Sequence, residues 1–310
     1  MKATTIALGL AAALAATPAA PQDWVPSPYG ADDRIGAANR ITPETVTRAA
    51  GLVTEGRTYA LGIPVDRSTP GFGARNLSVT ILQPDQFGGV SFGENEMNYI
   101  DDVFMGWLGL GTQIDALGHL GIANTFYNGR KVGDFVKTTG VTELGIEGIP
   151  PLVGRGVLLD IAAHRGADRL PAGELITVED LEAAAGAAGL AVESGDIVLL
   201  HTGWLSMIDE DPQAFAAGEP GIDAEGARWL AERGAVAVGA DTWGLDAVPN
   251  PDGLVFPAHQ ELLAKKGVYI LENVDTRELA ADGATEFLFV LGQPRYRGAV
   301  QAIINPVAIR

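Results

Sequence analysis

Gly156-Val157-Leu158-Leu159-Asp160-Ile161 and Asp196-Ile197-Val198-Leu199-Leu200 are two short, unbroken apolar runs. A run of this length without alternation is expected of a strand covered on both faces. Between them, Thr177-Val178-Glu179-Asp180-Leu181 sets a hydroxyl where it can cap a helix, and an Ala-rich body leads to Gly186 or Gly189. The same unit recurs. Asp223 can cap a helix through Arg228, Trp229 and Leu230 to Gly234, after which Ala235–Ala240 reads as a strand that delivers Asp241 at its carboxyl end. A third unit is a helix from about Ala258 to Lys266 and a strand from Val268 to Leu271 ending at Glu272, followed by an apolar strand over Glu286–Leu291. Upstream, Thr42-Pro43-Glu44 opens a helix towards Leu52, a strand is expected around Tyr59–Val65, and Leu77–Leu82 alternates like a half-buried strand. This alternation predicts an α/β fold with a mixed sheet packed with helices, and no repeat of fixed period interrupts it.

The 310 residues are 47% hydrophobic and 19% charged, enough to bury a sizeable core. No linker-like block divides the interior, so residues 21–310 read as one domain. A formal net charge of −18, with no Lys/Arg cluster to reverse it locally, argues against nucleic acid and anionic membranes as partners. Residues 1–20 read as a secretory signal peptide: Lys2, an apolar run from Ile6 to Ala16, then Thr17-Pro18-Ala19-Ala20. Export to the periplasm or beyond follows as an expectation. No other stretch approaches 18 uninterrupted apolar residues, the length that would suggest a membrane span. There is no cysteine, which removes disulfides, thiolate metal sites and cysteine nucleophiles.

Chemistry therefore rests on oxygen and imidazole, and the chain has four histidines. His119 closes Gly111-Thr112-Gln113-Ile114-Asp115-Ala116-Leu117-Gly118-His119, which gathers an amide, a carboxylate and an imidazole within seven residues. His259 precedes Glu272 by thirteen residues, a gap that a helix and a strand fold back to one end of a sheet. His164 and His201 read as structural or pocket-lining groups. Gly109-Leu110-Gly111 lacks the third glycine and the Lys-Ser/Thr pair of a phosphate cradle. Neither a Gly-x-Ser-x-Gly elbow nor a His-Glu-x-x-His helix occurs, so neither a serine hydrolase nor a zincin is supported.

Gly109-Leu110-Gly111-Thr112-Gln113-Ile114-Asp115-Ala116-Leu117-Gly118-His119 resembles the central motif His-x-Gly-Thr-His-x-Asp-x-x-x-His of the cyclase family that includes bacterial kynurenine formamidase and isatin hydrolase. The likeness continues in Arg155–Asp160, Gly195–Leu200 with Thr202-Gly203-Trp204, Gly239–Thr242, and His259 through Glu272-Asn273. It implies a swivelling β/β/α-type fold, a homo-oligomer, and a divalent-metal site hydrolysing small amides or lactams, as in an arylformamidase of tryptophan catabolism. Carried over, the family's ligands fall on Gly109, Gln113, Asp115, His259 and Glu272, with His119 as catalytic acid or base and Asp115 beside it.

Gly109 has no side chain to ligate and Gln113 offers a neutral carbonyl oxygen, which argues against a two-zinc arrangement. Gln113, Asp115, His259 and Glu272 make an oxygen-rich set suited to one divalent ion, Mn²⁺, Mg²⁺ or Zn²⁺. Trp204, Asp241 and Trp243 are expected at the substrate, the tryptophans offering flat faces to a small planar molecule. The same groups could open a lactone, dehydrate or isomerise. A non-catalytic periplasmic binding protein on the same scaffold is the reading from another class.

Overall fold

The computed structural model describes residues 23–83, 89 and 91–310; the signal peptide expected at 1–20 lies outside the described residues. Nine strands form one mixed sheet in the order Thr58–Ala60, Val307–Ile309, Glu286–Leu291, Leu152–Asp160, Ile197–His201, Ala237–Ala240, Tyr269–Glu272, Gln113–Asp115, Gln301–Ile303. The four from Leu152–Asp160 to Tyr269–Glu272 run parallel to one another, and every other pairing is antiparallel. Helices Val178–Ala187 and Ala224–Glu232 and the helical segment Pro257–Lys266 make the three crossovers between them.

The crossover strands are buried because their apolar runs are continuous: Ile197, Val198, Leu199 and Leu200 are fully covered, as are Ile270 and Leu271. Each such side chain contributes about 1.5–3 kcal/mol relative to exposure, so strand placement here is strongly specified. The caps read from sequence are present. Thr42 and Thr177 each form a capping box with the residue three along, and the Asp223 carboxylate accepts from Gly226 N at 2.6 Å.

Two elements depart from expectation. The helix expected from Ala258 to Lys266 is α-helical only over Pro257–His259 and widens to π-helical over Gln260–Lys266. Leu77–Ile81 does form a strand, but only Leu77 is buried, because it pairs with Asp102–Gly106 in a separate hairpin and not with the main sheet.

Candidate active site

The three-residue strand Gln113–Asp115 sits between Tyr269–Glu272 and Gln301–Ile303, with Gln113 opposite Glu272 and Asp115 opposite both Ile270 and Gln301. Alternation along a strand puts Gln113 and Asp115 on one face, and their partners Glu272 and Gln301 share it. Four polar side chains thus meet on a buried face near the carboxyl end of the last parallel strand, where such sheets place ligands. Thr112 locks the approach: its hydroxyl accepts from Ile63 N at 2.9 Å and donates to the Asn273 carbonyl at 2.5 Å.

His259 enters from the opposite side. Asp246 accepts from Ala258 N at 2.7 Å and His259 N at 3.2 Å, satisfying free amides at the start of the short helix. The same carboxylate lies 2.7 Å from His259 Nδ1. The ring's Nε2 is thereby aimed inward, 3.3 Å from both Asp115 Oδ2 and Glu272 Oε1. His119 Nε2 stands 3.7 Å from Asp115 Oδ2, and its side chain is 21% exposed towards the pocket while Asp115 is fully buried. Gln301 Nε2 donates to Asp115 Oδ1 at 2.8 Å, and Gln113 Nε2 donates to Glu272 Oε2.

Charge follows from this packing. Burial pushes Glu272 up, the Asp115 carboxylate adds to the push, and it titrates at about 7. Burial acts the same way on Asp115, but His119, His259 and Gln301 outweigh it and hold it below the ordinary carboxylate value. Burial lowers the His119 pKa more than Asp115 raises it, which favours the neutral imidazole, the form that can accept a proton. Burial also opposes a proton on His259, but three carboxylates around the ring raise its affinity well above that of a free imidazole.

The residues fit a divalent cation. One ligand atom each from Asp115, His119 and His259 lies within 4.8 Å of the others. Asp115 Oδ2 and Gln113 Oε1 are buried without a hydrogen-bond partner among the described residues, an arrangement that a cation between them would relieve. A side chain at position 109 would meet the end of the Gln301 side chain, the amide that also holds Asp115 Oδ1.

The pocket above the cluster is lined by His119, His259, Glu272 and Gln301 below and by Phe72, Trp243 and Phe256 at the sides. Phe72 stacks on Trp243 at 5.2 Å between ring centroids and meets Phe256 edge-on at 6.0 Å. Arg75 also lines it and donates to the Gly109 carbonyl at 2.9 Å.

Of the residues expected at the substrate, Trp243 lines the pocket and two others do not. Asp241 is a buried brace: its oxygens accept from Thr202 N and Gly203 N at 2.8 Å, and from the Thr202 hydroxyl at 2.6 Å. Trp204 packs behind the pocket with Phe215 and Trp243. His201 bonds Thr276 at 2.7 Å, and His164 is exposed at the end of a short helix, so neither joins the cluster. No local sequence pattern marks Phe72, Arg75, Phe256 or Gln301; Asp246, which with Asp241 flanks Thr242–Leu245 and on sequence alone could line the pocket or cap the next turn, holds His259 instead.

Fold and site together define an enzyme of hydrolase or cyclase type. The chain belongs to the Cyclase family, described as "Putative cyclase", which its residues 59–247 match. A solved structure described as a novel cyclase is 34% identical, with 91% of this chain and 96% of that one covered and a TM-score of 0.84. Isatin hydrolase A from Ralstonia solanacearum is 20% identical over 82% of this chain and 92% of its own, at a TM-score of 0.61. A protein described as a predicted metal-dependent hydrolase from Bacillus stearothermophilus is 19% identical over 82% and 98%, at 0.54. No curated protein matches the sequence significantly.

Proposed function

We propose that this protein is a metal-assisted hydrolase of the carbon–nitrogen bond in a small amide or cyclic amide carrying a planar ring, as in an arylformamidase. We also propose that it works outside the cytoplasm, on the reading of residues 1–20 as a signal peptide. The carrying observation is the convergence of Asp115, His259 and Glu272 beneath a pocket whose one partly exposed imidazole is His119. Isatin, the cyclic amide in the name of one structural relative, has the shape that the Phe72–Trp243 wall would stack against.

Asp115 and His259, two of the three groups that converge within 4.8 Å, would hold the ion with Glu272 and the neutral Gln113 Oε1, leaving the third, the partly exposed His119, to carry the proton; this oxygen-rich set suits Mn²⁺ or Mg²⁺. When bound, a divalent ion there supplies Lewis acidity to a carbonyl and lowers the pKa of water. His119, neutral at working pH, takes the proton from the attacking water as its oxygen bonds to the carbonyl carbon. It returns that proton to the nitrogen as the carbon–nitrogen bond breaks, leaving an amine and a carboxylic acid, which gives its remaining proton to solvent and becomes the carboxylate. Asp246 fixes the His259 tautomer and Gln301 fixes the Asp115 rotamer. Arg75, the cation of the pocket wall, is placed to hold the new carboxylate.

The test is elemental analysis of the purified mature protein, joined to turnover of N-formylkynurenine, isatin and matched esters and lactones before and after chelation. The expected result is near-stoichiometric metal and amide cleavage that is lost with the metal and restored by adding it back. Metal-loaded protein that opens lactones and leaves every amide intact would overturn the reading.

A further inference from the structure

Behind the aromatic wall of the pocket lies Glu219, a fully buried carboxyl that the chemistry of the site does not use. It follows the short helix Pro212–Ala217 in Gly218-Glu219-Pro220-Gly221, where the proline keeps the residue before it out of the helical region. Glu219 instead bridges to Val248 at the end of the loop that leaves strand Ala237–Ala240. Its N–H donates to the Val248 carbonyl at 2.8 Å, and Val248 N donates back to the Glu219 carbonyl at 2.9 Å. Gly221 lets the two backbones close, since a Cβ there would stand 2.2 Å from the Asp246 carbonyl carbon.

The loop so clasped does two jobs. Trp243 and Gly244 in its first half line the pocket, and Asp246 in its second half supports His259. The second half has a tie of its own, Ile222 N donating to the Leu245 carbonyl at 3.0 Å. The first half is held by the Glu219 side chain. Oε2 accepts from Trp243 N at 2.5 Å, and Oε1 lies so close to Gly244 that an added Cβ would come within 2.8 Å of it. The carbonyl of that same peptide, on Thr242, accepts from Asn273 N at 2.7 Å, which leaves its N–H end to Glu219. The indole N–H of Trp243 donates to the Phe215 carbonyl at 2.9 Å and reaches the Gly218 carbonyl at 3.3 Å. One segment, Phe215–Glu219, therefore grips both the main chain and the ring of the tryptophan.

Burial, then the charges of Glu272 and Asp246, push the Glu219 pKa well above the ordinary carboxyl value, against the Trp243 N–H and His259. A carboxyl that keeps its proton supplies an acceptor without adding charge beside groups that already include Asp115, Glu272 and Asp246. We propose that Glu219 is a positioning residue: by holding the Trp243 main chain it fixes the aromatic wall, and so sets affinity for a planar ring without lining the pocket itself. The effect on substrate rests on reading the pocket as one for an amide that carries such a ring.

Glu219→Ala removes the acceptor, and Glu219→Gln keeps one in nearly the same shape. In Glu219→Ala, KM for an aryl amide should rise several-fold, with kcat, metal content and KM for a small aliphatic amide unchanged. Glu219→Gln should restore the wild-type KM. Exchange of the Trp243 backbone N–H gives a readout that needs no substrate, followed in protein labelled with ¹⁵N-tryptophan and assigned through Trp243→Phe. It should be several-fold faster in Glu219→Ala and close to wild type in Glu219→Gln. Gly244→Ala, whose methyl would crowd Oε1, should speed the same exchange, and it serves if Glu219→Ala does not fold. Exchange that neither variant alters overturns the proposal, as does a Glu219→Gln chain as impaired as Glu219→Ala. A fall in kcat or metal content together with the rise in KM also overturns it, because the effect would then run through Asp246 and His259. A wild type that cleaves no amide, while exchange responds in this pattern, refutes the functional reading and supports the hold of Glu219 on the wall.

Discussion

Asp246 Oδ2 lies 2.7 Å from His259 Nδ1, and the ring's other nitrogen is 3.3 Å from both Asp115 and Glu272. One carboxylate therefore sets the start of a helix, the tautomer of an imidazole and the direction of its free nitrogen. In Asp246→Asn the amide group would turn a donor towards the donors on Ala258, His259 or the ring. Metal affinity is expected to fall by about 10–100-fold, the usual effect of losing such a support. Competition against a fluorescent chelator measures it. Affinity equal to wild type would mean that the ring is held by packing alone.

Gln301 stands where a side chain at Gly109 would go and holds Asp115 Oδ1 at 2.8 Å. The expected stoichiometry is one metal per chain. Gly109→His alone is expected to displace Gln301 and loosen Asp115 without adding a second ion. Gly109→His with Gln301→Gly clears the space, and elemental analysis should then find a second equivalent of zinc. A second equivalent in the single variant would show that Gln301 yields without cost.

Acid stability has a separate origin at Asp180. Burial alone would raise its pKa, but the Arg165 guanidinium and the Thr177 amide and hydroxyl outweigh it and hold it at about 2. An unfolded aspartate titrates near 3.9. The folded-state value is the lower one, so the contribution is complete above about pH 4 and is lost as pH falls through 2. Asp180→Asn is expected to cost about 1 kcal/mol or more at neutral pH, with the difference from wild type closing towards pH 2. Urea melts at pH 7, 4 and 2.5 test this; a gap independent of pH would assign the effect to the cap geometry and not to charge.

Local signals made much of the fold legible. Thr42, Thr177 and Asp223 cap because a hydroxyl or carboxylate at a helix start needs only its own next turn, and the strand at Ile197–His201 is legible because a run buried on both faces leaves no alternation. The π-helical turn after His259 was hidden because Gln260–Lys266 carries no local sequence signal that separates it from an α-helix. Asp241 misled because a strand-end carboxylate looks alike in sequence whether it meets substrate or braces the next loop. Leu77–Leu82 alternates as a half-buried strand should, yet only its first residue is covered within one chain. Asp115 and His119 were visible as a polar cluster in a Gly-rich stretch, His259 at a helix start and Glu272 at a strand end. Gln301 gains its role only once antiparallel pairing sets it beside Asp115, and Phe72 and Arg75 lie in a loop that reaches the pocket only in the folded chain.

The Phe72–Trp243 stack makes a prediction about substrate that separates binding from chemistry. Trp243 is held from behind, its indole N–H donating to the Phe215 carbonyl at 2.9 Å, whereas Phe72 is half exposed at the mouth. A ring laid against this stacked wall gains an aromatic contact worth about 0.5–1.5 kcal/mol beyond its buried area, in the ground state and the transition state alike. Loss of such uniform binding raises KM and leaves kcat unchanged. Phe72→Ala is therefore expected to raise KM for an aryl amide several-fold, with little change for a small aliphatic amide and none in metal content. His119→Ala should act in the opposite way, lowering kcat for both amides by about 10²–10⁴-fold, the range for a lost general acid–base group. If Phe72→Ala lowers kcat and spares KM, the stack positions the reacting carbonyl and does not merely hold the ring.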